Sequence, residues 1–120
     1  MAFVDWTSQP GREVYPGDVI WDVTGERLQV IRARVSPGAD FPIHAHSQEQ
    51  IIVVLEGALE FVVDGETQVV RPGQVIHIPP DVPHGGRVHG RETVVTIEAF
   101  HPVRNDFGHD STHMDMTSPA

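Results

Sequence analysis

The sequence predicts an all-β domain of the sandwich or barrel type. Short apolar segments recur at intervals of roughly 8–12 residues. Gly, Pro and Asp break the chain between them, and no stretch in the middle of the chain carries a helical period. Many short antiparallel strands in one small domain leave a sandwich or a barrel as the way to bury their apolar faces.

The elements follow in order. Val19–Val23 reads as a first strand. Leu28–Val35 alternates, with Leu28, Val30, Ala33 and Val35 expected inward and Arg32 and Arg34 outward. Ser36-Pro37-Gly38-Ala39-Asp40 is a turn. Gln50–Leu55 has little alternation (Ile51, Ile52, Val53, Val54, Leu55), which predicts burial on both faces. Glu56-Gly57 ends it. Leu59–Val63 and Thr67–Val70 flank Asp64-Gly65, a strong hairpin signal. Arg71-Pro72-Gly73 turns again, Val75–Ile78 is a strand, and Pro79–Pro83 caps it. Thr93–Phe100 alternates and closes the domain. From Asn105 the composition shifts to Asp, Ser, Thr, His, Met and Pro without period. The expected organisation is one domain over 1–104, with its barrel core at about 18–100, and a flexible tail over 105–120.

Composition narrows the function. The formal net charge is −9, and all eight basic residues are arginine. That balance argues against nucleic acid and anionic membranes as partners. The absence of cysteine excludes disulfides, thiol nucleophiles and iron–sulfur clusters, and the absence of lysine excludes Schiff-base chemistry. Met1–Pro10 lacks the basic flank of a signal peptide, and no apolar run approaches the ~20 residues of a membrane span. The expectation is a soluble cytoplasmic protein.

The candidate site begins with His44-Ala45-His46-Ser47-Gln48-Glu49-Gln50. If this run is a strand, His44 and His46 share a face and aim two imidazoles at one point. Gln50 and His84, which follows Pro79-Pro80-Asp81-Val82-Pro83, can complete a site of three imidazoles and one amide. Imidazole suits Zn, Cu, Fe and Ni, and a site with open positions is of the catalytic kind. Glu49 should point away from it. His77 reads as a strand-face residue and His89 as a solvated loop residue, while His109 and His113 fall in the tail.

With the glycine and proline framework included, the pattern is Gly38-x5-His44-x-His46-x3-Gln50-x6-Gly57, then Gly73-x5-Pro79-x-Asp81-x2-His84. This resembles the two signature motifs of the cupin superfamily over residues 38–84. The resemblance implies a double-stranded β-helix (jelly-roll) barrel holding a divalent transition metal (Fe, Ni, Mn, Zn or Cu). Two positions depart from the commonest pattern. Glu is usual where Gln50 stands, and Gly is usual at Asp81, where Asp tolerates a left-handed turn. An all-neutral donor set leaves the ion its full charge, which favours anionic oxygen ligands.

A sharper resemblance lies in His46-x-x-Glu49-Gln50-Ile51-x-x-Val54-Leu55-Glu56-Gly57 and in Ile97-Glu98-Ala99-Phe100-His101-Pro102-x-Arg104-x-Asp106-Phe107. Both are similar to KdgF-type cupins, which use two His, a Gln and a third His as ligands. Those proteins convert 4,5-unsaturated uronates to linear ketouronates. The resemblance implies that Glu98, Phe100 and Arg104 line the pocket and act on a small anionic substrate. Glu98 stands where that family has Asp, and His101 where it has Ser. Glu98 either faces the interior beside Phe100 or faces outward to Arg27 or Arg91. Competing functions are another metal cupin (a dioxygenase, isomerase, lyase or polyketide cyclase) and a non-catalytic small-molecule binder. Apolar residues before Val19 (Phe3, Val4, Trp6, Val14, Tyr15) suggest a homodimer built on strand edges.

Overall fold

The computed structural model describes residues 2–105. The expected tail over 105–120 lies outside these residues except for Asn105. A 3-10 turn (Trp6–Ser8) precedes ten strands: β1 (Arg12–Tyr15), β2 (Asp18–Thr24), β3 (Gln29–Val35), β4 (Asp40–His44), β5 (Glu49–Glu56), β6 (Leu59–Val63), β7 (Glu66–Val70), β8 (Val75–Ile78), β9 (His84–Val88) and β10 (Val94–His101). They form a six-stranded sheet of order β1-β2-β3-β10-β5-β8 and a four-stranded sheet of order β4-β9-β6-β7. All pairings are antiparallel. This is the jelly-roll barrel, and its core is Ile20, Ile31, Ala33, Val35, Ile52, Val54, Leu59, Phe61, Ile78, Val94 and Phe100 between the sheets.

Turn chemistry is where sequence and backbone agree most closely. Asp64 and Gly65 both have positive φ (49° and 82°), as a two-residue hairpin of the twisted kind requires. Asp81 has φ 66°, so the aspartate holds the left-handed position expected of it. Gly57 has φ 75°, and an added Cβ there would stand 2.7 Å from the Thr93 carbonyl oxygen. That glycine ends β5 where β10 begins, so it meets both a conformational and a steric demand.

Two expectations of side-chain phase are corrected. In β3 the buried residues are Gln29, Ile31, Ala33 and Val35, while Leu28 is exposed and Val30 joins Arg32 on the outer face. The apolar count alone favoured Leu28, but the buried amide of Gln29 makes its own hydrogen bonds, to Thr24 and to the backbone of Arg104. Burial of β5 on both faces is also corrected. Gln50, Ile52 and Val54 are buried, but Ile51 and Leu55 face outward and are exposed. Three strands (β1, β4 and β9) escape a reading by apolar runs because Pro42, Gly85, Gly86 and charged residues interrupt them. β1 pairs with β2 of its own chain.

The two glycine environments separate strain from collision. Gly57→Ala should cost about 2 kcal/mol or more, because left-handed strain and backbone overlap add. Gly65→Ala, with open space around its Cβ, should cost only about 1 kcal/mol. Urea midpoints of the two variants check this ordering, and equal losses would contradict it.

Candidate metal centre

The two sheets each contribute part of the site. His44 ends β4 and pairs with His84 at the start of β9, after a register shift between Phe41 and His44. Such a shift re-aims a side chain at a barrel rim. His46 lies in the loop after β4, so the expected strand alternation does not place it. The loop turns it inward, and its ring comes within 5.6 Å of His44 and 4.7 Å of His84, centroid to centroid. His44 and His84 rings are 4.5 Å apart. One ring nitrogen from each histidine lies within 4.8 Å of the other two. Gln50 comes from β5, opposite Phe100 on β10.

Hydrogen bonds fix what each donor presents. The Nδ1 atoms of His44, His46 and His84 lie 2.9, 3.0 and 2.9 Å from the carbonyl oxygens of Pro42, Gln48 and Val82. A carbonyl only accepts, so each Nδ1 carries the proton and each Nε2 is an acceptor. Gln50 Nε2 donates to Glu98 Oε1 at 2.8 Å, which turns Gln50 Oε1 toward the histidines, 3.0 Å from His46 Nε2. Two acceptors then face each other at hydrogen-bond distance, an arrangement that calls for a cation between them. Burial pushes the His46 ring below its usual pKa, with help from the Arg104 charge, and pushes His84 down to about 4. Protonation is thus a poor way to supply the cation. The donor set fits a transition metal instead: three neutral imidazoles with lone pairs exposed and backbone partners that fix their orientation.

Beside this cluster, Thr96, Glu98 and Phe100 share the inner face of β10. Glu98 faces the interior, not Arg27 or Arg91. It accepts from Gln50 and, at 2.8 Å, from the Thr96 hydroxyl. Burial raises its pKa, while these two donors and Arg104 oppose the rise; burial wins. Phe100 is 2% exposed and belongs to both the core and the pocket wall. Arg104 is buried, and its guanidinium carbon sits 5.8 Å from the Phe100 ring centroid. The pocket that these residues line has a cavity volume of about 60 Å³ and opens to the surface. Most of its remaining wall is aliphatic or aromatic.

The structure brings together all seven sequence-derived candidates: His44, His46, Gln50, His84, Glu98, Phe100 and Arg104. His77 is exposed on the outer face and 2.7 Å from Glu49. His109 and His113 lie outside the described residues. Three pocket-shaping residues stand outside that candidate set. Gln29 clamps the main chain of Arg104 from both sides, its Oε1 accepting from the N–H and its Nε2 donating to the carbonyl, each at 3.0 Å. Thr96 anchors Glu98. Asp18 opens β2 and lines the same pocket. A period of two read backward from Ile20 points to it, but β2 was expected to begin one residue later.

Comparison with known proteins agrees with this geometry. The cupin domain model matches residues 31–100. The chain belongs to the cupin family. It is 32% identical over 71 residues to quercetin 2,3-dioxygenase of Bacillus subtilis, and that match spans about a fifth (21%) of the dioxygenase. It is 35% identical over 92 residues to Protein SchB of Streptomyces halstedii, covering 73% of this chain and 67% of that protein. Among solved structures, an RmlC-like cupin from Shewanella frigidimarina superposes with TM-score 0.82 at 26% identity, covering 89% of this chain and 96% of the other. KdgF from Halomonas sp. superposes with TM-score 0.80 at 26% identity, covering 88% and 97%.

Loss of the ion should leave buried lone pairs facing one another. Chelation of the metal-loaded protein is therefore expected to lower its thermal midpoint at neutral pH, by more as the loading concentration exceeds the dissociation constant. His84→Ala should show no such metal-dependent shift and should retain less than one tenth of the bound metal by elemental analysis. Full metal content in that variant would contradict the assignment.

Proposed function

We propose that this cupin is a metal-dependent enzyme of the lyase or isomerase type that opens a 4,5-unsaturated uronate, or a similar small anionic sugar-like substrate, to a linear ketouronate. The observation that carries the reading is the Gln50 amide. Its oxygen joins the histidine cluster while its nitrogen holds Glu98, so a proton-transfer group sits directly beside the metal site. The likeness to KdgF from Halomonas sp. supports it. His44, His46, Gln50 and His84 would hold the ion, which would supply Lewis-acid polarisation of substrate oxygens.

The chain's own groups supply the rest. An unsaturated uronate is a cyclic enol ether bearing a carboxylate. Opening it takes a proton at carbon 4, a water oxygen at carbon 5, and collapse of the resulting hemiketal to a ketone with release of the ring oxygen. Glu98, with its pKa raised by burial, is suited to deliver the first proton and, once ionised, to take one from water. Arg104 offers a planar fork to the substrate carboxylate, and Gln29 keeps its backbone in place. Phe100 gives the sugar ring a flat wall. A second reading, oxygen-dependent cleavage of an enolic ring compound, draws on the likeness to quercetin 2,3-dioxygenase and on the apolar pocket wall.

Incubation with lyase-generated unsaturated galacturonate or mannuronate, followed by ultraviolet absorbance of the conjugated double bond, separates the readings. The metal-loaded protein should remove the absorbance. Glu98→Gln should slow it by about 10²-fold or more, and His46→Ala should abolish it. No loss with either uronate, together with oxygen uptake on a flavonol, would overturn the first reading in favour of the second.

We also propose that the protein works in the cytoplasm as a homodimer. Ile51, Leu55 and Val75 are exposed on one outer face of β5 and β8, where Val53 stands opposite Val75 and β8 is a sheet edge. An apolar strip beside an open edge fits a second copy of the chain. Light scattering at micromolar concentration should give twice the monomer mass, and Ile51→Lys with Val75→Lys should halve it. A monomeric wild-type mass would refute the dimer.

A further inference from the structure

Among the described residues, Asp18 is the acidic group lining the pocket that the proposed chemistry leaves unused. It is 7% exposed, and its Oδ1 is buried with no hydrogen-bond partner among the described residues. A buried carboxyl oxygen left without a partner is costly unless something else meets it. It lines the pocket together with His44, His84, Glu98 and Arg104. Strand register places it at a different level from the metal-site cluster. Asp18 stands opposite Val35, which stands opposite Val94, whereas Gln50 stands opposite Phe100, six residues further along β10. The wall contributed by Ile20, Ile31, Val35, Phe41 and Phe61 is apolar.

We propose that Asp18 forms an oxygen-recognising subsite of this pocket, where its carboxyl group, with Oδ1 buried and unmet, hydrogen-bonds a substrate oxygen. The substrate class is then a small ring compound with an oxyanion at one end and a hydrogen-bond-accepting oxygen, such as a carbonyl, at the other. This rests on the reading of the cavity as a metal-bearing substrate pocket, and it deepens that reading by naming a feature of the substrate. The groups that face Asp18 are Glu13 and Tyr15 of β1, with Tyr15 directly opposite it across the β1–β2 pairing, Glu98 of β10 and Arg104 beyond it, with His44 and His84 elsewhere on the pocket wall. Burial pushes the Asp18 carboxyl up to about 8; the Glu98 and Glu13 charges add to the rise and Arg104 opposes it. A folded-state pKa above the usual carboxylate range means that the group is protonated, and therefore a donor, below that value. It becomes a pure acceptor above it.

The test uses zinc-loaded protein and two probes, catechol and 3,4-dihydroxybenzaldehyde. Both offer the same oxygen pair to the metal, zinc is redox-inert, and the added aldehyde only accepts. Calorimetry gives the ratio of their affinities in wild type, Asp18→Asn and Asp18→Ala. Division by the alanine ratio at the same pH cancels the acidity difference between the probes. At about pH 6 the wild-type preference for the aldehyde should exceed that of Asp18→Ala about tenfold, as one added hydrogen bond gives. By about pH 9.5 the excess should vanish in wild type as Asp18 ionises, and should persist in Asp18→Asn, whose amide still donates. An equal preference in all three proteins, or a wild-type excess that ignores pH, would overturn the Asp18 subsite while leaving the metal pocket standing. Failure of catechol to bind zinc-loaded wild type, with binding of neither probe, would overturn the pocket reading itself.

Discussion

The site depends on one constraint: three imidazoles whose Nδ1 atoms are committed to main-chain carbonyls. Each commitment is local, to the residue two before His44 and His84 and two after His46. The backbone that positions the rings also chooses their tautomer. Three lone pairs, and the Gln50 oxygen turned toward them by Glu98, leave a cluster made wholly of acceptors. Such a cluster is poorly satisfied by protein alone, and burial opposes the proton that would relieve it. A cation resolves the conflict, and the surrounding fold makes sense as the frame that holds four acceptors at that separation.

The frame is a jelly roll because its two sheets supply different donors. β4 and β9 of the smaller sheet carry His44 and His84 side by side, while β5 and β10 of the larger carry Gln50, Glu98 and Phe100. Neither sheet alone brings one of these clustered imidazoles beside Glu98. Gln50 is the physical link, since one amide touches both the histidines and the acid. A carboxylate in its place could not donate to Glu98, and two acids would repel there. The glutamine thus keeps the cluster neutral and lets Glu98 stay close without direct repulsion. Arg104 and an apolar wall stand nearby.

Much of this was legible in the residues. Asp64-Gly65, Gly57 and Asp81 announced their turns because left-handed backbone admits few residue types. The spacing of His44, His46, Gln50 and His84 with those turns pointed to the four side chains that the structure gathers. The parts that were not legible have physical reasons. The phase of β3 depends on Gln29, a polar residue made inward-facing by hydrogen bonds to Thr24 and Arg104 that are distant or unmarked in sequence. The apolar residues of β5 do not reveal that Ile51 and Leu55 stay exposed in one chain. His46 arrives by a loop, so the period of two gave a right neighbourhood for a wrong reason. Asp18 was missed because an acid at a strand start looks like a solvated turn residue until the facing sheet covers it.

X-ray absorption spectroscopy of the metal-loaded protein tests the central claim most directly. Convergence of His44, His46, Gln50 and His84 on one ion predicts a first shell of nitrogen and oxygen at about 2.0–2.2 Å, with the outer-shell scattering of three imidazoles. A shell of oxygen alone, with no imidazole scattering, would mean that the ion binds elsewhere and that the four side chains do not share a metal.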